Sequence, residues 1–95
     1  MPREVVAKAR FLRAYHRLSD ADRGLVDSAL RHFQDYLHTG HAPVGLGIKH
    51  VGGRTYELRV GLALRIVYVI EGSEVALSLL GNHDEVRRFL RRQSP

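Results

Sequence analysis

Tyr56-Glu57-Leu58-Arg59-Val60-Gly61-Leu62-Ala63-Leu64-Arg65-Ile66-Val67-Tyr68 is the stretch whose reading decides the fold. Tyr56, Leu58 and Val60 alternate with Glu57 and Arg59, the period of a strand with one apolar face. With Gly61-Leu62-Ala63 as a three-residue loop, Val60 faces Leu64, Leu58 faces Ile66 and Tyr56 faces Tyr68. One face is then entirely apolar, and on the other Arg59 lies directly across from Arg65 with Glu57 one step along. A two-residue loop at Gly61-Leu62 would pair Arg59 with Leu64 and mix the faces, so the hydrophobic pattern selects the longer loop.

The next turn follows in the same way. Gly72-Ser73 is a two-residue hairpin signal. It pairs Glu71 with Glu74, Ile70 with Val75, Tyr68 with Leu77 and Ile66 with Leu79, which sets Arg65 against Leu80 and brings His83 close behind. Upstream, Ile48 to Val51 reads as a further strand before Gly52-Gly53. A three-residue loop at Gly52-Gly53-Arg54 puts Lys49 across from Glu57, and a two-residue loop at Gly52-Gly53 turns Lys49 to the other face. Both registers remain open in the sequence.

Helices flank these strands. Phe11, Leu12, Tyr15 and Leu18 form one helical face, and Val5-Val6-Ala7 before them suit a short strand. Ser19 reads as an N-cap with Asp20 and Asp22 in the first turn. Leu25, Val26, Ala29, Leu30, Phe33 and Leu37 continue a second amphipathic helix to a C-cap at Gly40. Pro43, with Gly40, Gly45 and Gly47, marks the loop into the strands. Asp84 can cap a last short helix carrying Val86, Phe89 and Leu90 on one side. The predicted fold class is α+β: an N-terminal helical hairpin packed on a small antiparallel β-meander with a short C-terminal helix.

The chain has 95 residues, read as a single domain over 1–95, with 44% apolar residues. It contains no cysteine, which removes disulfides and thiolate metal sites and suits a reducing compartment. No segment approaches the roughly 20 apolar residues of a membrane span, and no signal-peptide stretch opens the sequence. A cytoplasmic protein with no membrane association is expected. His38 and His41 are separated by the Gly40 break, so no metal site is expected.

Net charge is +5, and of 15 basic residues only Lys8 and Lys49 are lysine. Arginine suits bidentate contact with phosphate. Arg87, Arg88, Arg91 and Arg92 crowd the C-terminal helix without an acid from Val86 onward, a pattern that favours a polyanion or an acidic protein. Like charges facing each other across a sheet repel, so Arg59 and Arg65 call for an anion between them. Glu57 can serve in part and a phosphate more fully. Glu57 and Arg59 also fit an ordinary solvated ion pair, and His83 fits a turn histidine. Beside Arg65, His83 gains a second reading as general acid or base near neutral pH.

Several pieces, in order, resemble the RelE/ParE toxin superfamily of bacterial type II toxin–antitoxin modules, in its RelE-like branch. They are Phe11-Leu12 with Leu18-Ser19, Gly45 to Val51 leading into Gly52-Gly53, Tyr56 to Gly61, Leu64 to Tyr68, and Leu80-Gly81-Asn82-His83-Asp84-Glu85-Val86. The resemblance implies the fold just derived and a ribosome-dependent mRNA endonuclease (mRNA interferase) that uses no metal and no cofactor. It further implies 2′-hydroxyl attack on the adjacent phosphate, with Arg65 and Arg59 holding the phosphate and His83 as general acid; Glu57 departs from the pattern, standing where some relatives carry a basic residue, and its carboxylate can act as general base. Lys49, Arg54, Arg87 and Arg88 are the side chains it implies for RNA binding. The implied partners are a cognate antitoxin and mRNA in the 30S A site of the ribosome. Arg87 departs from the family pattern, standing where many relatives carry a tyrosine that stacks on a base. Two alternatives accompany this reading: a non-enzymatic ParE-like toxin that inhibits DNA gyrase, and a degenerate non-toxic relative.

Overall fold

The computed structural model describes residues 3–93. Its elements run β1 (Glu4–Ala7), α1 (Ala9–Arg17), α2 (Asp20–Thr39), β2 (Ile48–Gly52), β3 (Thr55–Val60), β4 (Leu64–Glu71), β5 (Glu74–Asn82) and α3 (His83–Gln93). The strands form one five-stranded sheet in the order β1-β5-β4-β3-β2. The α+β class, the helical pair, the meander and the C-terminal helix expected from the sequence are all present. Val5 to Ala7 is a strand as read, but it joins the outer side of β5 in parallel, Val5 beside Val75 and Ala7 beside Leu77. The sheet is therefore an antiparallel meander with one parallel edge.

Local chemistry sets the helix limits. The Ser19 side chain accepts a bond from the Asp22 amide at 3.1 Å, meeting one of the free N–H groups at the start of α2. Gly40 closes α2 in the left-handed region, φ 77°, with its N–H donating to the Tyr36 carbonyl. At α3 the expected cap, Asp84, is not the one used. Asn82 accepts from the Glu85 amide and Glu85 accepts from the Asn82 amide, both at 2.9 Å. This reciprocal capping box starts the helix two residues earlier, because only a residue in front of the helix can satisfy its first amides.

The β3–β4 register is the predicted one: Val60 opposite Leu64, Arg59 opposite Arg65, Leu58 opposite Ile66, Tyr56 opposite Tyr68. The β4–β5 register begins as predicted, with Glu71 opposite Glu74 and Tyr68 opposite Leu77, and then slips. Val67 pairs with Leu79, Ile66 with Leu80 and Arg65 with Gly81, in place of the expected Leu79 and Leu80 partners for Ile66 and Arg65. Ser78 is the extra residue of this β-bulge. The slip rotates everything after it onto the opposite face, so Leu80 enters the main core at 3% exposure. In β2, Lys49 lies opposite Glu57, and a shift between His50 and Gly52 brings Gly52 opposite Thr55. That pairing is the one the three-residue loop required, achieved by a tighter Gly53-Arg54 turn with an irregularity at Val51.

The two faces of the sheet are covered unequally. On one, Leu58, Val60, Ile66, Tyr68, Val75, Leu77 and Leu80 pack against Phe11 of α1 and Val26 and Phe33 of α2. Each large side chain buried there contributes about 1.5–3 kcal/mol of hydrophobic stabilisation. Leu12 and Leu25 were read as part of these apolar faces, yet they stand 42% and 49% exposed. The core-facing stripe is narrower than the run of apolar residues. Among the described residues, the other face is covered chiefly over β4 and β5, where α3 packs. Val86, Val67 and Ala76 are each at most 1% exposed, yet none belongs to the main core. They form the small second layer under α3.

Candidate functional site

Strand alternation puts Glu57 and Arg59 on the face away from α1 and α2, and cross-strand pairing adds Arg65 from β4 and Lys49 from β2. Beyond the reach of α3, no helix of the described residues packs over this face. Arg65 forms an ion pair with Glu57 along the β3–β4 diagonal. Glu57 is 7% exposed and is the buried charged residue of the described chain, a placement that only a close counter-charge makes tolerable. Its guanidinium partner keeps 24% of its side-chain surface open. Arg59, exposed, makes no side-chain hydrogen bond or ion pair among the described residues. The anion that Arg59 and Arg65 called for is thus supplied to Arg65 by Glu57 and is not supplied to Arg59.

Two glycines shape the surroundings. The carbonyl of Gly47 accepts from the Arg59 amide at 2.8 Å, extending the ladder one residue beyond β2. A Cβ on Gly47 would stand 3.2 Å from the Cβ of Arg59, so the loop backbone lies directly against that side chain. Across from Arg65, Gly81 carries no side chain, and Glu85 takes the space: a Cβ there would meet Glu85 Cβ and Oε1 at 3.0 Å. The sequence reading missed both Gly47 and Glu85. The Asn82-x-x-Glu85 spacing was the available signal for the latter. No such local pattern marks Gly47.

The remaining candidates fall in different places. His83 is exposed at the first residue of α3, two beyond Gly81. No hydrogen bond or ion pair joins it to Glu57, Arg59 or Arg65 among the described residues. Arg88 lines a groove with Arg10, Leu79, Glu85, Phe89 and Arg92 on the α1 side of α3, where the Arg10 guanidinium sits 5.4 Å from the Phe89 ring centroid. With Val86 inward, His83 and Arg87, four residues apart, share the opposite flank, toward β4. Arg54 lies in the β2–β3 turn, about 16 Å along β3 from Arg59 at a strand's rise per residue. The structure therefore groups Lys49, Glu57, Arg59 and Arg65 on one surface, borders it with His83 and Arg87, and leaves Arg54 and Arg88 outside. Among the described residues no group of three or more His, Asp or Glu could hold a metal ion, and no helix is long and apolar enough to cross a membrane.

No protein family recognised by sequence pattern matches the chain, and no curated protein sequence matches it. Solved structures do. RelE in the RelB–RelE antitoxin–toxin complex of Methanococcus jannaschii superimposes with a TM-score of 0.67 at 13% identity, over 88% of this chain and 96% of that one. The chain has the RelE toxin fold. The YoeB dimer of Staphylococcus aureus matches at TM-score 0.66 and 12% identity, over 87% of this chain and 99% of that one. A YoeB/ParE toxin from Agrobacterium tumefaciens matches at 0.64 and 18%, over 84% and 98%. The RelE-like resemblance read from the sequence is borne out in the fold. These likenesses span nearly the whole of each neighbour and 84–88% of this chain.

Proposed function

We propose that this protein is the toxin of a type II toxin–antitoxin module and that it cleaves mRNA on the ribosome. The observation that carries this reading is the unequal covering of the sheet. On a RelE-like fold, the stretch of sheet face left open among the described residues holds Arg59 and Lys49, with Arg65 between them and the start of α3. A phosphodiester entering there would meet Arg59 first. Its oxygens would then compete with Glu57 for the Arg65 guanidinium, which can serve either anion. Release of Glu57 from Arg65 would free a carboxylate to accept the 2′-hydroxyl proton. The 2′-oxygen then bonds to phosphorus, the 5′-oxygen leaves with a proton from His83, and the products are a 2′,3′-cyclic phosphate and a 5′-hydroxyl. The two arginines would stabilise charge on the pentacoordinate phosphorus. A cognate antitoxin would neutralise the toxin by covering this basic surface.

The test is primer extension on translating ribosomes with wild type and an Arg65→Ala, His83→Ala variant, each checked for native circular dichroism. Wild type should give discrete new mRNA ends and the double variant should give none. Matching patterns would sink the enzymatic reading. One observation favours a second, non-enzymatic ParE-like reading: Glu57 already neutralises Arg65; the resemblance, which sets Arg87 where many relatives carry a stacking tyrosine, leans the same way. A stoichiometric block of gyrase supercoiling by the purified protein, without new mRNA ends, is its expected signature.

A further inference from the structure

On the opposite face of the sheet, at the end remote from Arg59 and Arg65, a cavity of about 360 Å³ opens between the C-terminal end of α2 and strands β2–β4. Three tyrosines line it: Tyr36 from α2, Tyr56 from β3 and Tyr68 from β4. Tyr56 and Tyr68 are stacked, with centroids 5.3 Å apart and planes 10° from parallel. Tyr68 is held from behind by Phe33 at 4.7 Å, so these rings are fixed in place by the core. Leu37, Ile48 and Ile70 supply the apolar wall, and Arg3 stands at the rim.

The polar groups of this cavity are unusual in being unspent. Tyr68 is only 3% exposed, yet its hydroxyl has no hydrogen-bond partner among the described residues. No sealed polar atom is left unpaired in the described chain, so this hydroxyl reaches the cavity. Tyr36 and Tyr56 likewise have no side-chain hydrogen bond, and both act electrostatically on the Tyr68 phenol, raising its pKa together with burial. All three tyrosines line the same cavity. Arg3 donates from Nε to the Gly72 carbonyl at 3.5 Å, which leaves the outer guanidinium nitrogens free. Several O–H donors and a cation around an apolar slot are complementary to an anion on an apolar body.

We propose that this tyrosine-lined cavity is a binding site for a small organic carboxylate, whose apolar body rests on Leu37, Ile48 and Ile70 and whose carboxylate accepts from the phenol hydroxyls and Arg3. The site shares no residue with the Arg59–Arg65 surface and does not rest on the toxin reading. Charge-assisted bonds are roughly twice as strong as neutral ones, so a carboxylate is favoured over an alcohol of the same shape.

The experiment is NMR of the full chain with ring-labelled tyrosine, titrated with 3-phenylpropionate, 3-phenylpropanol and inorganic phosphate. Expected are saturable shifts of the Tyr36, Tyr56 and Tyr68 rings with 3-phenylpropionate. The alcohol and inorganic phosphate should bind about tenfold or more weakly, the loss of one charge-assisted bond or of the apolar contact. Tyr68→Phe keeps the stacked ring and the fold and should weaken the acid about tenfold; Arg3→Gln, at the rim, should do the same. Absence of saturable shifts, equal affinity for acid and alcohol, or unchanged affinity in Tyr68→Phe would overturn the proposal.

Discussion

Arg65 and Glu57 depend on each other. The Glu57 side chain is nearly buried and the Arg65 side chain is about three-quarters covered, so removing either leaves a charge that water reaches poorly. Glu57→Ala should lower unfolding free energy by about 2 kcal/mol, below the roughly 3–5 kcal/mol of a fully buried pair because Arg65 keeps some solvent, as read from urea melts. Glu57→Leu, Arg65→Leu together should recover most of that loss, since the pair contributes little beyond two well-packed apolar side chains. Single and double variants with equal stability would contradict this. Tyr68 offers a second residue-scale prediction. Burial first, then Tyr36 and Tyr56, raises its pKa above the ordinary value of 10.0. The unfolded chain releases that proton near pH 10 while the folded chain keeps it. Stability from this group is therefore intact below pH 10 and falls as pH rises above it, by up to about 1.4 kcal/mol per pH unit. Urea midpoints across about pH 9 to 12 should fall less steeply in Tyr68→Phe than in wild type.

At the scale of elements, the join between β5 and α3 carries the most constraint per residue. Gly81 lies opposite Arg65, under Glu85, and Glu85 caps the helix through Asn82. Gly81→Ala would push Glu85 off its bond with the Asn82 amide. Asn82→Ala should cost about 1 kcal/mol as a lost cap, and Gly81→Ala a similar amount. The two should be clearly non-additive in a double-mutant cycle, because both break one box; simple additivity would mean that Glu85 relaxes elsewhere. This join also shows where the sequence stops being legible. The β3–β4 register could be read because charges interrupt both strands, so a slip would expose apolar groups or bury Arg59. From Val75 to Gly81 the strand is apolar except for Ser78, and registers on either side of a slip both give an apolar face. The bulge at Ser78 is decided by the packing of Leu80 under α1 and α2 and of Leu79 under α3, which no local pattern encodes. The candidate site divides along the same line. Glu57, Arg59 and Arg65 sharing a face follows from alternation, whereas the engagement of Arg65 by Glu57 depends on a diagonal side-chain contact.

Over the whole molecule, the two faces of the sheet differ in how much apolar surface holds them. The α1/α2 side contains Phe11, Val26 and Phe33 against apolar side chains of all five strands, while the α3 side rests on Val86, Val67 and Ala76 with half-buried Phe89 and Leu90. Regions with few buried contacts open at free energies below that of global unfolding. α3 should therefore detach as a unit while the sheet and the helical pair stay folded. Amide exchange should show α3 protected by several kcal/mol less than β4 and Phe33 of α2. Val86→Asp places an unpaired charge on Val67 and should convert this rare opening into the dominant state. The expected result is lost protection confined to residues 83–92 and the outer face of β4 and β5, with the Phe33–Tyr68 ring contact retained in NMR spectra. Loss of that contact as well would show that the thin layer and the thick one unfold together. Because α3 borders the Arg59–Arg65 surface with His83 and Arg87, the same variant separates two parts of the proposed site. An mRNA-cleaving activity that needs His83 should disappear, while retention of Arg59, Arg65 and Lys49 on the intact sheet should preserve a salt-sensitive attraction for RNA.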